Sequence, residues 1–332
     1  MSPGLDAAPV LVAPDSFKGT FGAARVAAAV ARGLRDGGRE AVELPVADGG
    51  EGTLDALLAA LGGEPRSAVV ADPLGRPVEA EYGLIDDGRT AVVETARASG
   101  LGLVDPGERD AWAASTRGTG ELIAAAAADG AETVVVAAGG SATTDGGDGA
   151  IEALVQAGLA DSGRPAIVVA CDVRTPWEDA ARVFGPQKGA DPETVERLRR
   201  RLARLARSAP RDPRGVAMTG AAGGLAGGLW AHLGARLVAG APYVLDAVGF
   251  DAHMRAARFV VTGEGRLDEQ TLAGKAVGEV ATRCRQAGVA CHAVVGEDAM
   301  DDFRERLIDL SVVIEASTIR HLTTAGRRLA EL

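Results

Sequence analysis

The chain reads as an α/β protein whose strands lie mainly in parallel sheets. Three observations predict this. Apolar strand-like runs alternate with helical segments at both ends, polar glycine-containing loops follow several of those runs, and a middle stretch breaks the rhythm with short hairpin-like segments. At 332 residues there is room for one large or two medium domains. Hydrophobic residues make up 47% and aromatics only 3%, so the core must be built from Ala, Val and Leu. The 45 glycines point to tight turns and close backbone approaches.

In chain order, residues 10–13 are a short β-type run ending at Pro14, followed by an Ala-rich helix over 23–34 closed by Gly37 and Gly38. Residues 41–46 read as a second strand ending at Asp48-Gly49-Gly50, then a helix over 53–61. From 67 to 94 the runs 68–70, 78–84 and 90–93 are split by Pro-Leu-Gly and Asp-Asp-Gly turns, which suggests antiparallel hairpins and a different layer. A helix over 121–128 feeds a strand at 133–138, and a strand at 166–170 precedes Cys171-Asp172. Residues 196–211 form a basic helical stretch whose Leu198, Leu202 and Leu205 make one apolar stripe; its arginines read as a solvated face. Strands at 258–262, 290–295 and 311–314 then restore the opening βα rhythm.

The net charge of −11 argues against a nucleic-acid surface, which needs clustered cations, but not against a nucleotide ligand. Three cysteines without ligand spacing fit a reduced cytosolic setting. With neither a bilayer-length apolar stretch nor a signal-like start, a cytoplasmic location is expected. There is no Walker A sequence, no complete dinucleotide fingerprint, no zinc-like histidine spacing and no Gly-x-Ser-x-Gly elbow.

Four polar loops carry the chemistry: residues 14–19, 48–53, 139–147 and 262–268. Ligands in open α/β sheets bind at the carboxyl ends of strands, where such loops gather. Glycines admit an anion to the backbone N–H groups, and carboxylates can hold Mg²⁺ or accept a hydroxyl proton, which together suit phosphoryl transfer. Each loop alone is also explained by a turn or a helix N-cap, which would account for Ser16, Asp48 and Asp145. Lys18 is less easily explained that way, since a cation in a first helical turn opposes the dipole unless an anion binds there. Residues 220–228 could cradle phosphate or let a helix pack closely.

These loops, in this order, resemble the type-1 glycerate kinase family. The matching segments are APDSFKG (13–19), PVADGGEGT (45–53), ASGL (98–101), GTGELI (118–123), GGSAT with DGG (139–147), ACDV (170–173), VFGPQKGA (183–190), GAAGGLAGGL (220–229), LDAVG (245–249) and TGEGRLDEQT with GK (262–275). The resemblance implies two α/β domains: a flavodoxin-like one with a parallel sheet built from both chain ends (1–67 and 255–332), and an inserted mixed α/β domain (68–254), with the active site in the cleft. It implies ATP and Mg²⁺ as cosubstrates and phosphorylation of a D-glycerate hydroxyl, usually to 2-phosphoglycerate. The implied partners are a small hydroxy acid and ATP, with no nucleic acid or membrane and a homodimer left open. The alternatives are a kinase of a related hydroxy acid or polyol, or a non-catalytic nucleotide- or acid-binding paralogue.

Carried over residue by residue, Lys18, Asp48 and Asp172 are the catalytic candidates, with Asp48 and Asp172 the two choices for the general base. Asp15, Ser16, Ser141, Arg266 and Asp268 would bind substrate, Arg266 matching its carboxylate as a planar fork. Gly49, Gly50, Asp145, Lys188 and Lys275 would meet nucleotide or phosphate, and Glu51 and Glu264 would hold the metal. The sequence departs from the family at Thr144 (usually Asn), Ala273 (often His) and Val277 (commonly Pro), which is expected to reshape the substrate pocket more than the phosphate site.

Overall fold

The computed structural model describes residues 8–17, 19–160, 164–269, 271, 274–300 and 308–332. The described strands, in chain order, are β1 (Val10–Pro14), β2 (Ala41–Glu43), β3 (Glu64–Ala71), β4 (Pro77–Ile85), β5 (Thr90–Glu94), β6 (Thr133–Ala137), β7 (Ala166–Cys171), β8 (Arg236–Ala239), β9 (Val260–Leu267), β10 (Cys291–Asp298) and β11 (Val313–Glu315). They form two sheets in two units. The first unit comprises Met1–Asp48, Asp55–Ala60 and Ala241–Leu332; the second comprises Gly49–Leu54 and Leu61–Gly240.

In the first unit a five-stranded, wholly parallel sheet has the order β11-β10-β9-β1-β2. Numbered by appearance within this sheet, the order is the flavodoxin-like one, and its switch point falls between β1 and β9, where crossovers leave in opposite directions. All five residues of β1 are buried, as a continuous apolar run must be when helices cover both faces of a parallel sheet. Two helices, Ala23–Asp36 and Ile319–Leu329, pack against each other backbone to backbone. A Cβ on Gly33 would overlap the Thr323 carbonyl, and one on Gly326 the Val30 carbonyl, so neither position admits a side chain without separating the helices.

The second unit holds a six-stranded sheet, β3-β4-β5-β6-β7-β8, antiparallel across β3, β4 and β5 and parallel from β5 onward. The hairpin-like stretch near residue 67 is therefore the antiparallel edge of this sheet. At the end of β5, Glu94 is 1% exposed, and its Oε1 accepts the N–H groups of Gly52 (2.9 Å) and Leu54 (2.8 Å) while Oε2 meets Arg97 (3.2 Å). It thereby satisfies donors at the start of the helix Thr53–Leu61 that have no partner within the helix. Glu94→Ala is expected to lower stability by about 2–4 kcal/mol, read as a fall in the denaturation midpoint, because it strands buried donors.

The basic stretch forms the helix Pro192–Ser208, started by Pro192 and by the Asp191 carboxylate accepting from Thr194 N at 2.7 Å. Leu198, Leu202 and Ala206 face inward and Arg199 and Arg200 are exposed. The strand read at 41–46 ends at Glu43, yet Leu44 and Val46 still donate to Val12 and Pro14 carbonyls, so the pairing outlasts the regular strand. The loop read at 262–268 proves to be strand as far as Leu267, with Glu264 opposite Val295 and Arg266 opposite Glu297. Its glycine serves close strand approach rather than a turn: a Cβ on Gly263 would overlap the Val294 carbonyl. Among the described residues no helix is long and apolar enough to cross a membrane, and Cys171, Cys284 and Cys291 are free and buried.

Candidate active site

In the first unit the carboxyl ends of the strands open onto a pocket of about 350 Å³, lined among others by Asp15, Ser16, Asp48, Glu264, Arg266 and Lys275. It sits at the β1/β9 switch point, because Asp15 follows β1 directly and Glu264 and Arg266 lie on β9. Asp15 and Asp48 are 4% and 2% exposed, so both carboxylates are largely desolvated. Asp15 Oδ1 accepts from Ser16 N at 2.6 Å, which turns the chain at the strand end. The Ser16 hydroxyl is buried and has no hydrogen-bond partner among the described residues. Arg266 is exposed, 3.4 Å from Glu297 and 3.8 Å from Asp268.

Glu264, a metal candidate by resemblance, is engaged by neighbouring side chains in this structure. Its Oε1 accepts the Thr271 hydroxyl at 2.6 Å and its Oε2 the Lys275 ammonium at 3.3 Å, so both oxygens are engaged. Burial pushes its carboxyl above the ordinary range, against the pull of Lys275 and Thr271. Its work here is to hold Lys275, which also lies 3.9 Å from Asp268. Among the described residues there is no group of three or more His, Cys, Asp or Glu that could hold a metal ion. Glu51 is exposed on the loop after Asp48.

The second unit carries a smaller recess, about 150 Å³, at the ends of β6 and β7, whose lining includes Gly140, Ser141, Asp172, Phe184, Gln187 and Lys188. Lys188 is 3% exposed and donates to Ser141 Oγ (2.9 Å) and the Thr143 carbonyl (2.5 Å), with its Nζ 6.0 Å from the centre of the Phe184 ring. Burial pushes its ammonium down to about 7, although Asp145 and Asp172 pull the other way. Asp145, assigned to phosphate, is a structural staple instead. It is wholly buried, with Oδ2 accepting Thr116 N, the Thr116 hydroxyl and Gly149 N, and Oδ1 accepting Gly147 N.

Gly49 and Gly50 also serve packing. A Cβ on Gly49, whose φ is +90°, would lie 2.7 Å from Gly240 Cα, and one on Gly139 would lie 2.5 Å from Gly50 Cα. Residues 220–228 show the close packing expected of that segment's glycines. Ala222, Gly223 and Gly224 run consecutively left-handed, against Thr143 and Gly146, into the helix Leu225–Leu233, and Ala222 lines the recess. Lys18 and Ala273 lie outside the described residues. Thr144 and Val277 are buried at 0% and 1% and are not in the lining of either pocket.

The structure thus gathers Asp15, Ser16, Asp48, Arg266 and Lys275 in one pocket, with Asp268 and Glu264 bound to its cations, and Ser141, Asp172 and Lys188 in the other. Sequence reasoning missed Thr271 and the Thr143 carbonyl. The first had a signal in the Asp-x-x-Thr spacing, since Asp268 N donates to Thr271 Oγ1; a carbonyl leaves none.

Residues 10–166 and 155–329 match the profile of the glycerate kinase family. The chain belongs to that family. The glycerate kinase of Bacillus subtilis (strain 168) is 40% identical, over 88% of this chain and 86% of its own. The glycerate 2-kinase of Escherichia coli (strain K12) is 39% identical, over 80% and 79%. A solved structure named as a glycerate kinase 2 from Salmonella typhimurium LT2 superposes with a TM-score of 0.82 at 36% identity, covering 98% of both chains. Within this family member, family segments supply both pockets: 13–19, 45–53 and 262–275 in the first unit's, and 139–147, 170–173 and 183–190 in the second's.

Proposed function

We propose that this protein transfers the γ-phosphoryl group of ATP to a hydroxyl of D-glycerate, giving 2-phosphoglycerate. The observation that carries the reading is the first unit's pocket, where the Asp15 and Asp48 carboxylates share a lining with Arg266 and Lys275 at a flavodoxin-like switch point. A small hydroxy acid needs both kinds of group: a cation fork for its carboxylate and a carboxylate for its hydroxyl proton. A volume of about 350 Å³ lies at the small end of ligand pockets and suits an acid of a few carbons.

The roles follow from placement. Arg266, exposed at the pocket rim, takes the substrate carboxylate, and Lys275, held by Glu264, lies beside it. The unpartnered Ser16 hydroxyl is a further group for the acid. Lys188 meets a phosphoryl group in the second unit's recess, and Asp48 and Asp172 are the two carboxylates able to take the hydroxyl proton. Mg²⁺ fits the chemistry of Glu51, because this ion keeps most of its shell as water and phosphate oxygens and asks the protein for only one or two carboxylates. When bound, the ion neutralises charge on the phosphoryl oxygens. The protein's own contribution is orientation and electrostatics, as in other phosphoryl transfers.

The test is ADP release with D-glycerate and a panel of other small hydroxy acids and polyols. Activity with D-glycerate is expected; measurable ATP binding with no turnover on any acceptor would sink the enzyme reading. Arg266→Ala should raise KM for the acid about tenfold or more with a smaller change in kcat. Of Asp48→Asn and Asp172→Asn, the variant removing the base should lose roughly 10²–10⁴ in kcat and the acid limb of the pH profile.

A further inference from the structure

An ammonium group has three N–H donors, and Lys188 spends two, on Ser141 Oγ and the Thr143 carbonyl. Both acceptors are neutral, so neither balances the charge of a side chain that is 3% exposed. The third donor has no acceptor among the described residues, and Lys188 lines a recess of about 150 Å³. That volume is large enough for a phosphoryl group. We propose that this recess binds a phosphoryl group together with one proton, which Lys188 takes from solvent as the anion arrives. The identification of the anion as phosphoryl rests on the kinase reading; the proton linkage rests on the lysine's surroundings.

Two carboxylates bear on Lys188 from the elements packed around it. Asp145, on the segment that also carries Thr143, has its Oδ2 held by the N–H and hydroxyl of Thr116, and its Oδ1 and Oδ2 also accept Gly147 N and Gly149 N at the start of the helix Asp148–Gln156. That positive helix end offsets its charge. Asp172, at the end of β7, shares the recess lining. The two carboxylates favour the ammonium, but burial outweighs them and brings the group to about 7. At mildly alkaline pH the empty recess therefore holds a neutral amine, and a bound phosphoryl group supplies the counter-charge that restores the ammonium. The proton moves from buffer to Nζ, and no bond to phosphorus forms or breaks.

The experiment is calorimetric titration of the full chain with ADP, inorganic phosphate and 2-phosphoglycerate, each in buffers of different ionisation enthalpy. From the lysine's position near 7, wild type is expected to take up about 0.9 proton per site more than Lys188→Arg at pH 8 and about 0.1 more at pH 6, a difference that cancels the ligand phosphate's own titration. This excess with ADP alone assigns the seat to the donor's phosphates, and with 2-phosphoglycerate alone to the transferred group; either supports the proposal. Lys188→Arg should bind with only the ligand's own proton change, since a guanidinium stays charged. Lys188→Met, which removes a buried charge and should fold, should lose at least tenfold in affinity. Wild-type binding without uptake beyond that of Lys188→Arg at pH 8, or an excess that persists in Lys188→Met, would overturn the idea. Neither readout needs turnover, so its failure is distinct from failure of the kinase reading.

Discussion

Lys188→Met should lower kcat/KM for phosphoryl transfer by about 10²–10³, the usual cost of removing one preorganised donor from a developing charge. Steady-state kinetics with saturating nucleotide should place most of the loss in kcat if Lys188 meets the group in flight, and in KM if it only anchors the donor. A second expectation attaches to the same variant. The unfolded lysine titrates at 10.5 and the folded one at about 7, so between those values the unfolded chain holds one more proton. Stability from this group therefore climbs as pH rises from about 7 toward about 10, and the cost of the buried charge is fully present below about 7. Thermal melts of wild type and Lys188→Met at pH 6 and 9 should show a rise in the wild type relative to the variant. Equal slopes would place the ammonium at its ordinary value.

Gly223→Ala should destabilise the second unit by roughly 3–5 kcal/mol, because two independent costs coincide. Its φ is +65°, and an added Cβ would overlap the Thr143 carbonyl oxygen and lie 2.7 Å from Thr144 Cα. The Thr143 carbonyl is also an acceptor of Lys188, so any backbone shift that relieves the clash moves the lysine. Gly215→Ala is the control: its φ of +72° is as strained, but an added Cβ meets nothing within 4 Å. That change should cost about 1 kcal/mol, and the difference between the two midpoints isolates the clash. A Gly223→Ala protein as stable as Gly215→Ala would show that the Thr143–Thr144 segment yields easily.

Much of the fold was legible because burial leaves a mark on composition. β1 and β10 are apolar runs covered on both faces, and Pro-Leu-Gly and Asp-Asp-Gly mark the turns of the antiparallel edge. What escaped was set by neighbours distant in sequence. Gly263 reads as a turn residue until β10 lies beside it, and Asp145 reads as a ligand carboxylate until Thr116 takes its oxygens. Glu264 is met by nearer residues, Thr271 and Lys275, of which only Thr271 had a local signal. Lys188 could be named from its place between glycines, but its acceptors lie 45 and 47 residues away. Packing density thus decides which polar residues are left for chemistry, and that information is not local.

The position of β1 has a consequence for how the chain is made. It lies between β2, which follows almost at once, and β9, whose partner residues come 249 positions later, as in the pairing of Leu11 with Val260. Its covering helix Ala23–Asp36 packs against Ile319–Leu329, the last helix of the chain. At about 5–20 residues per second of synthesis, the emerged amino-terminal strands wait on the order of 10–60 s for those partners. The second unit, continuous from Leu61 to Gly240 apart from the short Gly49–Leu54 piece, can complete itself first on the ribosome. Nascent chains arrested at residue ~280, with the whole second unit clear of the ribosome and β10 not yet made, should therefore resist protease across 61–240 while 10–43 stay cleavable.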